Sequence, residues 1–348
     1  MNAMRITQRT LALSICPLLF AYHLEARAET LYVAGYGGDF QDIMQQKVIP
    51  GFSEETGADV VYVGGNSTDT LAKLLASRDS PQIDVSIMDD GPTYQAINYG
   101  LCQSLAGMPA LDQVYDFARF PDDKAIGTSI VAGGLAYNQA YFEEQGWAPP
   151  ESWTDLADPR YKGLLNIPSI SNSYGVYALV MLARANGGGE SDIEPGFDAM
   201  TSGISDSVLS FTPSPGQTSE LYQSGEIVMS VWGSGRVKAL ADSGFPIAFA
   251  YPKEGAVALV QGTCVSEGTP RAELARAFID WMLRPEIQVL MAQERAQGPA
   301  NKSVELDAET AEEVPYGDKV DHLVTLDWDQ VNQQRMEWTQ RWNRQVER

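Results

Sequence analysis

The sequence predicts an α/β protein built as two lobes that face each other across a cleft. Three observations carry this expectation. Short β-rich runs alternate with segments of helical apolar spacing, the pattern of parallel sheets flanked by helices. Four strand-to-helix junctions, at 35–39, 89–92, 169–173 and 232–236, are rich in Gly, Ser and Asp. Ligands of open parallel sheets bind beyond such strand ends, where helix N-termini present free N–H groups. Two of the junctions precede and two follow a proline-rich connection at 147–163. The length, 348 residues, also exceeds what one core normally holds, roughly 250–300 residues. At any single junction a tight turn is explanation enough; the set of four points to a ligand cleft.

Leu31-Tyr32-Val33-Ala34 is a β-rich run followed by Gly35-Tyr36-Gly37-Gly38. Asp39 is placed to cap a helix whose Phe40, Ile43, Met44 and Val48 share a face. Strands are predicted at 59–63 and 83–88, the second ending in Asp89-Asp90-Gly91-Pro92, with helices at 68–77 and 92–99. Residues 127–137 are strand-like. A strand at 164–168 leads through 169–173 into a long helix that stops at Gly187-Gly188-Gly189. A strand at 227–232, a helix from Arg236, strands at 247–251 and 256–265 and helices at 273–283 and 286–294 follow. Near the C-terminus Trp328, Val331, Trp338 and Trp342 fall on one helical stripe, expected to brace the lobes without touching ligand.

The first residues read as an export signal. Arg5 and Arg9 precede an apolar run at 11–22, shorter than the roughly 20 residues a membrane-spanning helix needs. Ala26-Arg27-Ala28 offers a cleavage site, so the mature chain is expected to begin at Glu29. A lipid anchor on Cys16 fits poorly, because Ile15 precedes it and Pro17 follows. Cleavage leaves Cys102 and Cys264, which in an oxidising compartment usually pair; two buried free thiols are the alternative.

Composition excludes several functions. The chain has 24 Lys and Arg against 46 Asp and Glu, a net charge of −22. Such acidity repels phosphate backbones and anionic lipid, so nucleic acid and membrane surfaces are not expected partners. After export one histidine remains, His322, and no G-x-S-x-G, H-E-x-x-H or phosphate-binding glycine loop occurs. Neither an enzyme nor a metal or cofactor protein is expected. A carboxylate-pair hydrolase stays as the alternative, and it needs two acids in one cleft.

Further segments narrow the reading. They are Gly35-Tyr36-Gly37-Gly38-Asp39-Phe40, Pro50-Gly51-Phe52 with Glu55-Thr56-Gly57, and Asp84-Val85. Tyr251-Pro252-Lys253-Glu254-Gly255, Leu283-Arg284-Pro285-Glu286, Asp327-Trp328 and Trp338 to Asn343 complete the set. Through nearly the whole mature chain the sequence resembles the spermidine/putrescine-binding group of solute-binding proteins of bacterial ABC importers. The resemblance implies a type II periplasmic-binding-protein fold, each lobe a parallel-type sheet, with crossing strands at the hinge. Lobe one would hold 29–130 with 255–310, lobe two 131–254, and 311–348 would be helical and packed on both. It implies a monomeric periplasmic protein that closes on a small solute and docks transiently on an inner-membrane permease, without cofactor. It also places Cys102 and Cys264 in one lobe, near the hinge.

The resemblance carries over only part of a ligand set. Tyr36, Phe40 and Trp232 stand at or near the positions of aromatic walls, with Tyr94 and Tyr174 as further candidates; core packing is the alternative for Trp232. Gln261 stands where the group has an acid, with Leu259 in place of a Trp, and 169–175 lacks the acids expected there. Asp89 and Asp90 could hold an ammonium, or cap the following helix. Arg236, the 233–235 turn and the helix start at Ser171, Asn172 and Ser173 could hold an anion, or Arg236 could be a solvated side chain. Gly37 completes the candidate set. This mixture suits an ω-amino acid resembling GABA better than a polyamine. Sugar remains an alternative, and ferric iron is disfavoured because Tyr174 and Tyr177 are not adjacent.

Overall fold

The structure, a computed structural model, describes residues 28–347; the expected signal and Cys16 lie outside them, apart from Ala28. Among the described residues ten strands form: β1 (Thr30–Tyr36), β2 (Asp59–Gly65), β3 (Val85–Asp89), β4 (Ile126–Asn138), β5 (Leu165–Pro168), β6 (Val208–Thr212), β7 (Met229–Gly233), β8 (Ile247–Ala250), β9 (Ala256–Val265) and β10 (Leu323–Val324). They are hydrogen-bonded in the order β2-β1-β3-β9-β4-β7-β5-β6, with β8 on β4 and β10 on β9. β1 lies parallel between β2 and β3, and β5 parallel between β6 and β7.

The sheets are not purely parallel. β9 runs antiparallel to β3 and β4, and β4 antiparallel to β7 and β8. The reason lies in the path of the chain: β4 carries it out of one lobe and β9 carries it back, so the two crossing strands oppose each other. One hydrophobic cluster gathers residues from Leu31 to Ile126 and from Ala258 to Ala300. The other runs from Val131 to Leu259 and adds Leu326 to Val346. The change of core falls within β4, beside the irregular register between Gly127 and Ile130.

Two distant constraints complete the fold. Cys102 and Cys264 form a disulfide across 162 residues, with Cα atoms 5.7 Å apart. Both are fully buried in the first cluster. The helix Trp328–Gln345 buries Trp328, Val331, Trp338 and Trp342, the stripe anticipated from spacing. It touches both lobes. Asn332 accepts from Gln95 at 2.9 Å, and Trp328 lies against Gly91 so closely that a Cβ there would come within 2.6 Å. On the other side Arg335 donates to the Ile170 carbonyl and Trp342 packs edge-on against Phe211. β6 and the helices Glu194–Ala199 and Pro215–Gln223 were not anticipated. β6 buries only its last residue fully, so it lacks the period-two signal of a half-buried strand.

Candidate functional site

The two cores meet around a cavity of about 260 Å³. From the first core come the ends of β1 and β3 and the helix starts that follow them. Tyr36, Gly37 and Phe40 line the cavity from the β1 junction. The Tyr36 and Phe40 rings meet edge to face at 5.2 Å. The helix begins one residue earlier than expected for a cap at Asp39: Gly38, at φ 65°, takes that place, and Asp39 is the first helical residue. Only a residue free of Cβ adopts that backbone readily.

Asp89, at the end of β3, is the cavity's carboxylate. It accepts from the Tyr36 hydroxyl at 2.6 Å and from the Ser173 hydroxyl at 3.0 Å. Its amide donates to Ser67, which also lines the cavity. The bond from Ser173 is a direct link between the lobes. Burial and the Asp89 charge hold the Tyr36 hydroxyl well above the usual phenol range, so it stays a donor.

Asp90 behaves differently. It is 4% exposed, does not line the cavity, and has its carboxyl pushed up to about 8 by burial and then by the neighbouring Asp89. It accepts from the Gly91 amide at 3.0 Å and, at 3.4 Å, from the Tyr177 hydroxyl. The structure thus places Asp90, expected either to hold an ammonium or to cap the helix, in the core beside the cavity and outside its lining. The structure does not make Asp89 and Asp90 a pair of acids sharing the cleft.

The second core contributes Asn172, Tyr174, Gly235 and Arg236. Asn172 caps the helix Ser173–Ala185, its side chain accepting from the Tyr174 amide. Tyr174 leans over Gly233, where a Cβ would come within 2.1 Å of the phenol oxygen, so a larger residue would displace the ring. Ser171 faces a neighbouring cavity of about 360 Å³ that shares Asp89 and Asn172 with the first. Gln261, on the crossing strand β9, accepts from Ser129 at 2.5 Å, which leaves its N–H groups as donors toward the cavity.

Two aromatic candidates are placed elsewhere. Trp232 is 2% exposed and stacks on Tyr222 with ring centroids 5.8 Å apart, so core packing holds and not a cavity wall. Alternation along β7 sends it away from the face that the 233–236 turn presents. Tyr94 packs on Phe120 at 5.3 Å and does not line the cavity.

Arg295 and Gln297 also line the cavity, and no local pattern signals them. A basic residue ending a helix reads as a partner for the helix dipole. Asn66, Ser67 and Val131 line it too and were not anticipated. Arg295 ends the helix Pro285–Arg295, and Ala296 follows in the left-handed region at φ 48°. The helix Ser234–Asp242 abuts this end: a Cβ on Gly235 would come within 2.8 Å of the Arg295 carbonyl oxygen. Glycine there lets Arg236 and Arg295 approach from different lobes. Among the described residues no cluster of three or more His, Cys, Asp or Glu could hold a metal.

Known proteins share this architecture. Over 308 residues the chain is 24% identical to a gamma-aminobutyric acid-binding protein of Pseudomonas aeruginosa, covering 83% of this chain and 82% of the relative. It is 24% identical over 243 residues to a spermidine/putrescine-binding periplasmic protein of Haemophilus influenzae, covering 67% and 65%. A crystal structure of an ABC transporter protein from Clostridium perfringens superposes with a TM-score of 0.77 at 21% identity, over 91% of this chain and 99% of that one. The fold is that of the two-lobed type II binding proteins. Residues 47–315 match the family described as bacterial extracellular solute-binding protein, and the chain belongs to that family.

Proposed function

We propose that this chain is the periplasmic solute-capturing component of an ABC importer, and that its solute is a small amino acid of the GABA type, with amine and acid at separate ends. One observation carries the reading: a single cavity is lined by one carboxylate, Asp89, and two guanidiniums, Arg236 and Arg295. An ammonium fits beside Asp89 and the Tyr36 ring, where cation–π contact adds roughly 0.5–2 kcal/mol when desolvated. The acid end fits the arginines and the Gln261 amide. The relative whose name specifies gamma-aminobutyric acid supports the same class. A long polyamine finds one carboxylate and two repelling cations here, which disfavours it.

Lobe one then comprises about 29–130 and 255–310, and lobe two about 131–254, a division supported by the two cores. The solute stabilises the closed form because its two ends are held from different lobes. It leaves unchanged, to be handed to a membrane permease. Calorimetry with GABA, putrescine and spermidine on wild type and Arg236→Ala tests this. Wild type should prefer GABA. Losing a charge-assisted hydrogen bond should cost the variant about 1.5–3 kcal/mol for GABA and shift its preference toward simple amines. Preference of wild type for spermidine, with the variant unchanged, overturns the reading.

A further inference from the structure

The arginine wall of the cavity carries more positive charge than one carboxylate neutralises. The side chain of Arg295 is 9% exposed. Its one ionic contact is Asp39 at 3.5 Å, and the Asp39 side chain is 73% exposed. The buried Nε of Arg295 has no hydrogen-bond partner, although a guanidinium carries five N–H donors in a fixed fork. Gln297, two residues on and 3% exposed, has an unpartnered Oε1 in the same wall. Arg236 enters from the other lobe and forms no salt bridge among the described residues. Both guanidiniums line the same cavity, and burial, with repulsion from Arg236 added, holds Arg295 below the usual guanidinium range.

The backbone supports this placement. Ala296 is one of few non-glycine residues with positive φ among those described, a conformation that side chains disfavour. It lies between the two residues with unpartnered polar atoms. Gly235 then allows the Arg236 turn to close on the same spot. The Arg295 Nε donor, buried in the cavity wall without a partner, is free for an acceptor on a solute, while the Gln297 Oε1 beside it is an acceptor that suits a donor group.

We propose that Arg236 and Arg295 form one subsite for a tetrahedral dianion, so that the preferred solute is an ω-amino compound ending in a phosphonate or phosphate monoester in place of a carboxylate. The proposal rests on the amino-acid reading above for the amine end. Charge balance supports it. Within the cavity lining, Asp89 against two guanidiniums leaves one positive charge, which Asp39, outside the lining and with 73% of its side chain exposed, offsets only through solvent; a solute with one ammonium and a dianion carries one negative charge. A carboxylate solute leaves one of the two guanidiniums to the exposed Asp39 alone. Three acceptor oxygens also meet the fork geometry of two arginines better than two oxygens do.

Calorimetry at pH 8.5 with the mature protein tests it, using GABA, 3-aminopropylphosphonate, propylphosphonate and butyrate. The aminophosphonate should bind at least tenfold more tightly than GABA. Arg295→Gln should weaken the aminophosphonate about a hundredfold and GABA less than tenfold. The melting temperature of the ligand-free variant should stay or rise, because a poorly compensated buried charge is removed; a structural ion pair would give a fall. GABA binding as tightly as the aminophosphonate, or an Arg295→Gln variant that melts lower with its preference intact, overturns the dianion subsite and leaves the amino-acid reading standing. Propylphosphonate binding as well as its aminated form keeps the subsite and removes the amine end. Binding of none of the four probes counts against both.

Discussion

Asp84, with 1% of its side chain exposed, is met from several directions: by the Tyr32 amide at 2.8 Å, the Thr269 hydroxyl, and Arg271 at 3.2 Å. Arg271 in turn lies over the Tyr32 ring at 5.3 Å. The disulfide lies close by, the Ser86 hydroxyl touching Cys264 at 3.2 Å. On the cavity wall Arg295 is nearly as buried as its counterpart is matched, yet it meets one exposed acid at 3.5 Å and keeps a donor free. Both regions bury charge within the same chain. The first completes every partner internally, so removing one member strands another; the second leaves its partner to come from solution. A buried charge with full partners is structural, and one short of partners in a cavity wall is a candidate ligand contact.

The largest effect should come from the locked region. Replacing Cys102 and Cys264 by serine opens a loop of this length and should remove on the order of 4–5 kcal/mol in the chain-entropy picture. Denaturant unfolding of the double variant, against reduced and oxidised wild type, measures it; equal midpoints would mean that packing alone holds the segment. Arg271→Ala should cost about 3 kcal/mol, because the Asp84 carboxylate is left buried without its cation. The same measurement on Arg295→Gln should show no loss, which makes the pair of variants a direct test of the contrast. An equal loss from both would erase it.

Asp90 sharpens the comparison from the acid side, since it is as buried as Asp84 but faces no cation. Its folded-state pKa, raised to about 8, lies above the unfolded value of about 3.9. Its contribution to stability is therefore fully present below about pH 4 and lost as pH rises toward 8. Asp90→Asn should gain on wild type in melting temperature between pH 5 and 8, with the difference levelling off above that. A constant difference across this range would show that Asp90 is ionised in the fold.

Much of the fold was legible because it follows from local chemistry. Alternating apolar runs placed most strands to within a few residues, and the 3, 7 and 4 spacing of Trp328, Val331, Trp338 and Trp342 placed the buried face of the last helix. Small residues at strand ends located four junctions, and Tyr36, Gly37, Phe40, Asp89, Asn172, Tyr174, Arg236 and Gln261 do line one cavity. Asp90, Tyr94, Ser171 and Trp232 do not line it, though each sits within a few positions of a residue that does. A turn's composition locates the turn; it does not say which side chains point out of it.

Element order, acidity, the pair of cysteines and the family segments already point to the class of protein. Only the tertiary structure decided the charge of the cavity. Arg236 and Arg295 are far apart in the chain, and each looks ordinary beside its neighbours. They become a site because β4 and β9 cross between lobes and because Gly235 has no Cβ to hold the Arg295 carbonyl away. Close approach of two helix ends is a property of packing between lobes, and no local pattern encodes it.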